Sequence, residues 1–168
     1  MTDAILDAGP LIHLGELDAL DVLSNFEVMR APLAVLDEVR NHRPSAIEQL
    51  NLRLQSESSR APSAELQTLA SALSLDRGEV EALALMEMYP SAIFLTDDAA
   101  ARLAAEQRGY RVHGTIGLLI RSVRTRRRKP QEILNVLQDL PQRSSLFIRP
   151  NLLESIIQRL EKEWARDL

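Results

Sequence analysis

Apolar residues recur along this chain with two periods, and the switches between them predict strands and helices in turn. Ala4-Ile5-Leu6 is a short continuous apolar run that stops at Asp7-Ala8-Gly9-Pro10. Such a run reads as a buried strand. Leu11, Ile12, Leu14 and Leu17 follow at helical spacing. Pro10 suits the first turn of that helix, where its missing N–H costs nothing. The helix is predicted to reach about Leu20, with Asp21 to Asn25 as the return, and Phe26-Glu27-Val28-Met29 is a second short strand. Ala31-Pro32 opens another helix through Val35, Leu36 and Val39, which ends near Asn41 to Pro44.

Residues 45–75 carry less signal. Leu50, Leu52 and Leu54 alternate as a strand does, while a helix from Ala46 fits equally well. Ser56 to Ser63 reads as a loop and Glu65 to Leu73 as a short helix. From Asp76-Arg77-Gly78-Glu79 the helical pattern is at its strongest, over Val80 to Met88, and Tyr89-Pro90 ends it. Ala92-Ile93-Phe94-Leu95-Thr96 is a buried strand that runs into Asp97-Asp98. A helix over Ala99 to Arg108, a strand at Tyr110 to His113 and a helix opened by Gly114-Thr115-Ile116-Gly117 come next. Two amphipathic helices, about Gln131 to Leu140 and Leu152 to Trp164, close the chain. Alternating strands and helices predict an α/β fold with a mainly parallel sheet of four to five strands, its carboxyl ends gathered at one edge.

Composition narrows the class. A length of 168 residues fits one domain, expected here as a core over about 1–122 followed by a basic segment and helices over about 123–168. At 45% hydrophobic and 26% charged the chain has the profile of a soluble globular protein, with no membrane-length apolar run and no signal-peptide layout. A cytoplasmic location is the expectation. The absence of cysteine excludes disulfides, thiol catalysis and cysteine-bound zinc. A net charge of −4 hides an uneven distribution: Arg121, Arg124, Arg126, Arg127, Arg128 and Lys129 form one basic block.

The acids are the informative part. Asp7 and Asp97-Asp98 directly follow apolar strands, where open parallel sheets place functional groups. Glu38 lies at the edge of the apolar stripe of its helix, with small Ala34 and Ala31 before it. Glu79 lies on the same face as Leu83 and Met86. Two such charges about 4 Å apart repel by roughly 4 kcal/mol at an effective dielectric near 20. Lysine occurs only at Lys129 and Lys162, so arginines, proton sharing or a divalent cation must offset the repulsion. An all-oxygen set suits Mg²⁺ or Mn²⁺ rather than zinc or copper. Each acid also has a plain structural reading. Asp7 and Asp97 fit helix caps, Asp76 and Glu79 fit a capping box, Asp98 fits an i,i+4 pair with Arg102, and Glu38 fits an ordinary helix surface. His13, His42 and His113 are scattered, His113 fitting a core or hydrogen-bonded role. Neither a Gly-x-Ser-x-Gly elbow nor a Walker-type loop is present.

In order, Ile5-Leu6-Asp7-Ala8-Gly9-Pro10-Leu11-Ile12, Val35-Leu36-Asp37-Glu38-Val39, Leu75-Asp76-Arg77-Gly78-Glu79-Val80-Glu81-Ala82-Leu83 and Leu95-Thr96-Asp97-Asp98 resemble a PIN domain. Arg102 and Gly114-Thr115-Ile116-Gly117-Leu118-Leu119 are similar to the PIN-like subgroup related to VapC-type toxins. The resemblance spans nearly the whole chain. It implies a three-layer α/β/α sandwich whose clustered acids bind Mg²⁺ or Mn²⁺ and hydrolyse RNA. Carried over by motif, Asp7 is the first acid, Glu38 the second and Glu79 the third. The fourth is Asp97 or Asp98: the strand end favours Asp97 and the Thr-x-Asp form favours Asp98. Thr115 sits where a hydroxyl can assist. Two departures stand out: residues 45–75 match poorly, and the basic block occupies a place where relatives carry a glycine-containing turn.

The function expected is metal-assisted phosphodiester hydrolysis, with metal on Asp7, Glu79 and Asp97 or Asp98 and with Glu38 behind them. Arg124, Arg126, Arg127, Arg128 and Lys129 are candidates for RNA-backbone contacts, or for a solvated helix end. A receiver-type phosphoacceptor needs a lysine on its last strand, where this chain has Arg111 and His113. Haloacid-dehalogenase-like phosphatases need a second aspartate that Asp7-Ala8-Gly9 lacks. The remaining rival is a PIN fold kept as a binding module. Expected partners are an RNA substrate and, for a toxin, a small antitoxin over the acidic edge. The stripe of Leu152, Leu153, Ile156, Ile157, Leu160 and Trp164 packs on its own domain or forms a homodimer seam.

Overall fold

The computed structural model describes residues 2–50 and 53–168. Strands β1 (Thr2–Leu6), β2 (Phe26–Ala31), β3 (Leu54–Ser56), β4 (Ile93–Leu95) and β5 (Arg111–His113) form one sheet in the order β3-β2-β1-β4-β5. All four neighbouring pairs are parallel. The connections carry α1 (Ala8–Glu16), α2 (Leu33–His42), α3 (Pro44–Leu50), α4 (Ala64–Leu73), α5 (Arg77–Met88) and α6 (Ala99–Gln107). After β5 come α7 (Thr115–Arg124), α8 (Pro130–Arg143) and α9 (Pro150–Glu163).

Strand alternation builds the two cores. Ala4, Leu6, Ile93 and Leu95 face a cluster shared with α1, α2, α7, α8 and α9, whereas Ile5 and Phe94 face a second cluster with α4, α5 and α6. Helices therefore cover both faces, as an all-parallel sheet requires. The fold is the three-layer α/β/α sandwich expected, with five strands. Leu153, Leu160 and Trp164 are buried in the first cluster, so much of the carboxy-terminal stripe packs on its own domain, while Leu152 stays exposed. Among the described residues no helix is long and apolar enough to cross a membrane.

Two stretches differ most from the sequence pattern. The first helix starts at Ala8, because Asp7 caps it, and ends at Glu16 rather than near Leu20. Asp18 adopts φ 52, a left-handed conformation that does not continue a helix, and a 3₁₀ turn then spans Leu20–Asn25. Residues 44–56 hold both a helix, α3, and an edge strand, β3, so the two readings of that stretch each describe part of it. Leu52 lies outside the described residues.

The strand order reverses between β1 and β4. From β1 the chain winds outward through β2 to β3 on one side and through β4 to β5 on the other. Helices leaving the carboxyl ends of β1 and β4 diverge there and leave a crevice, the usual ligand position in an open α/β sheet. Asp7 and Asp97 end those two strands.

Candidate active site

The ladder between β1 and β4 runs past the last strand residues: Asp7 N–H donates to Leu95 O at 2.9 Å. Asp7 is only 7% exposed. Its Oδ1 accepts the Ala8 N–H at 2.9 Å, and its Oδ2 accepts the Thr96 hydroxyl at 2.8 Å. The same hydroxyl accepts the Asp98 N–H at 3.1 Å. Thr96 thus links the two strand ends. Asp98 caps α6, its Oδ1 accepting the Ala101 N–H at 2.8 Å, and its residue is exposed.

Glu79 arrives from α5. It closes a capping box: Asp76 Oδ1 accepts the Glu79 N–H at 2.8 Å, and Glu79 Oε2 accepts the Asp76 N–H at 2.8 Å. Gly78 makes this approach possible, since a Cβ there would lie 3.3 Å from Val35 Cγ2 on α2. Glu38 stands exposed on that same α2.

Burial pushes the Asp7 carboxyl up from 3.8 to about 6, against the lowering by Thr96 and Ala8, and the charges of Asp76 and Glu38 push the same way. Burial also pushes Glu79 up to about 7, opposed by its bond to Asp76 N–H and assisted by the charges of Asp76, Asp98 and Asp7. Five carboxylates therefore sense one another at this edge. They are not gathered into a finished cage: among the described residues no three acids or histidines stand together as a metal-binding group.

Asp97 faces the other way. It follows Thr96 by one residue, and its side chain reaches α1 and α7. Asp97 Oδ1 accepts the Thr115 N–H at 2.7 Å, and Oδ2 accepts both the Thr115 hydroxyl at 2.6 Å and His13 Nδ1–H at 2.7 Å. Burial alone would raise its pKa, but the bonds from His13 and Thr115 hold the carboxyl below its usual range. Gly114 is required at this point, because a Cβ would lie 2.8 Å from Asp97 Oδ1 and 3.1 Å from an Arg102 nitrogen.

A PIN domain family model, DUF3368, matches residues 3–162. The chain belongs to the PIN domain family. PIN domains are nuclease-type folds that typically use divalent metals. No curated protein matches the chain individually.

The PIN edge collects Asp7, Glu38, Glu79 and Asp98 on the α5 side and Asp97 with Thr115 on the α1–α7 side. The basic block is not part of it. Thr115 begins α7 and Arg124 ends it, which separates them by about 14 Å of helical rise. Asn25, just before β2, donates to the Thr125 hydroxyl at 2.7 Å, so the block lies at the amino-terminal edge of the sheet. There Arg128 pairs with Asp21 and donates to Asp18 O at 3.1 Å, and Arg127 lies 3.7 Å from Asp21. Part of the block is an internal clasp rather than a free cationic face. Arg126 and Lys129 line an open depression beside it with Arg124.

Two participants escaped the sequence pattern. His13 is the ring that holds Asp97, and its signal was slight: it sits four residues after Gly9 on the helix leaving β1. Thr96 was visible only as part of the Thr-x-Asp form. Arg102 pairs with Glu106 at 3.5 Å and not with Asp98.

Proposed function

We propose that the acidic edge of this PIN domain is an Mg²⁺- or Mn²⁺-dependent endoribonuclease site. The observation that carries this reading is the pair of raised carboxyls, Asp7 and Glu79, held beside other acids with no lysine within reach in sequence. Such a site gains by taking a cation. The donors fit a hard ion: all are oxygens, and Mg²⁺ typically keeps several waters and needs only one or two protein carboxylates. Asp7, Glu79 and Asp98 are the assigned ligands, with Glu38 and Asp76 adding negative charge. Asp98 is preferred to Asp97 because its charge acts on Glu79 and its Oδ2 has no protein donor among the described residues, whereas Asp97 is turned to the α1–α7 side and held there by three donors. When bound, the ion supplies an activated water and stabilises charge on the phosphodiester during in-line hydrolysis.

The chain's own groups set the geometry. The Thr96 hydroxyl fixes Asp7 Oδ2 and the backbone at Asp98 together. The Ala8 N–H fixes Asp7 Oδ1. Asp97 ties the starts of α1 and α7 to β4 through His13 and Thr115, which makes it and Thr115 positioning residues. As a toxin, the protein would be silenced by a small antitoxin covering Asp7 and Glu79. A homodimer belongs to the same proposal, and sedimentation velocity tests it.

The deciding assay is cleavage of structured and single-stranded RNA with Mg²⁺, Mn²⁺ or EDTA, alongside Asp7→Asn. The expected result is a loss of about a hundredfold or more both in EDTA and in the variant. Activity that persists in either sinks the reading. A second reading, a binding module without turnover, is favoured by the lack of a three-group metal cluster among the described residues. RNA retained in Mg²⁺ without cleavage supports that one instead.

A further inference from the structure

Next to the acidic edge is a cavity of about 380 Å³ with a different character. Asp97 and Gly114 form its inner wall, Arg102 of α6 and His113 of β5 supply its polar groups, and Val112, Ile116 and Leu152 its apolar ones. Asp97 is the one acid in that lining, and its two oxygens already receive the bonds from Thr115 and His13.

Arg102 is the cavity's cation, and His113 adds a neutral imidazole. Burial lowers the pKa of the His113 imidazole, and Arg121, Arg102, Arg111 and Arg124 lower it further. Of these arginines only Arg102 lines the cavity, while Arg121 stacks over Phe26 and Arg124 lies with the basic block. Arg102 is 38% exposed, and its only ion pair among the described residues is the long one to Glu106. The cavity thus offers a cation and an imidazole beside an apolar wall, one residue along the chain from Asp98. Its volume lies in the range of small-ligand pockets.

We propose that this cavity seats one nucleotide of a single-stranded polynucleotide, its phosphate on Arg102 and His113 and its nucleoside against Ile116 and Leu152. The inference rests on reading the neighbouring acids as a phosphodiester-hydrolysing site, for which it supplies the substrate contact that the distant basic block does not. A phosphate and a flat apolar ring match the lining, and RNA and DNA share both. A duplex keeps its bases stacked inside, whereas a single strand can turn one out.

Gly117 provides the test. It lines the cavity, and a Cβ placed on it meets only His113 Nδ1, at 3.7 Å. Gly117→Leu therefore fills the cavity while replacing a poor helix former inside α7 by a good one. Arg102→Gln removes the cation from an exposed helix position.

Affinities of the full chain for short fluorescein-labelled single-stranded RNA, and for DNA of the same sequence, are read by anisotropy in EDTA and in Ca²⁺. Each variant is expected to bind about tenfold more weakly than wild type, with an unchanged or higher Tm. Binding of both polymers assigns the seat to the shared phosphate and nucleoside, and binding of RNA alone adds the ribose hydroxyl; either supports the proposal. Unchanged affinity in Arg102→Gln or in folded Gly117→Leu overturns it, as does wild type that binds neither polymer. Wild-type cleavage in Mg²⁺ is scored separately. Cleavage with unchanged variant binding removes the seat and leaves the nuclease. Lost variant binding without any wild-type cleavage removes the nuclease and leaves the seat.

Discussion

Asp7 and Asp97 end adjacent strands at one edge of the sheet, joined by the hydrogen bond from Asp7 N–H to Leu95 O. Both are shielded from solvent, yet their acidities move in opposite directions. The difference is in the company each keeps. Asp7 receives two donors, both neutral, and looks out on Asp76 and Glu38. Asp97 receives three, one of them an imidazole, and no acid is among the main influences on it. A strand-end carboxylate is therefore not a ligand or a clamp by position alone. Alternation along β4 sends Thr96 toward Asp7 and Asp97 toward α1 and α7, so adjacent residues serve different faces. One side stores unspent negative charge and the other spends it on architecture.

The largest expected effect breaks the Asp97 side. Asp97→Asn places an amide where three donors converge, and the expected loss is about 3 kcal/mol in urea unfolding. A loss below about 1 kcal/mol would show that His13 and Thr115 do not depend on the charge.

The pH dependence sharpens the contrast. In EDTA, the raised acidities of Asp7 and Glu79 mean that the folded chain binds more protons than the unfolded one. Their stabilising contribution is complete below about pH 4. It is lost as pH rises through about 6 for Asp7 and about 7 for Glu79. Asp97 works the other way, contributing fully at neutral pH and losing its contribution as pH falls through its depressed value. Urea unfolding between pH 5 and 8 is expected to show stability falling by about 2 kcal/mol toward pH 8, with the Glu79 share discounted because solvent screens this partly exposed group. Asp7→Asn is expected to flatten that slope, and a slope unchanged by the substitution would remove Asp7 as its source.

Thr96→Val is the smallest of the three. It keeps the shape but leaves Asp7 Oδ2 and the Asp98 N–H without their shared partner, at about 1–2 kcal/mol. The EDTA slope is also expected to extend to higher pH, because a lowering influence on Asp7 is gone. An unshifted slope would mean that the hydroxyl does not tune this acid.

The features that sequence reveals are those written in neighbouring residues. Asp7 and Asp97-Asp98 are legible because an apolar run ends abruptly in a carboxylate, and the Asp76–Glu79 box because its spacing is local. The mainly parallel sheet of four to five strands follows from the alternation of periods and the three layers from the family resemblance, whereas the order of the strands is visible only in the structure. His13 is not legible in this way, because its partner lies 84 residues away and nothing beside it announces the contact. The basic block shows the converse. Its charge is conspicuous in sequence, but the length of α7 places it at the far edge, and Asp21 absorbs part of it. Residues 44–56 stayed ambiguous because β3 is a three-residue edge strand with little burial to impose alternation.

The bond between Thr96 and Asp7 spans 89 residues, and that separation has a consequence for the order of events during synthesis. Asp7 leaves the ribosome with the first strand, but the residue that orients it follows roughly 5–20 s later at ordinary elongation rates. Until then β1 lacks its β4 neighbour, and the acids of α2, α5 and α6 have no common edge. A nascent chain of this protein carries the acids of this edge without the edge. The central strand is thus made before its β4 neighbour, and the acidic edge is completed only once Thr96 has been made.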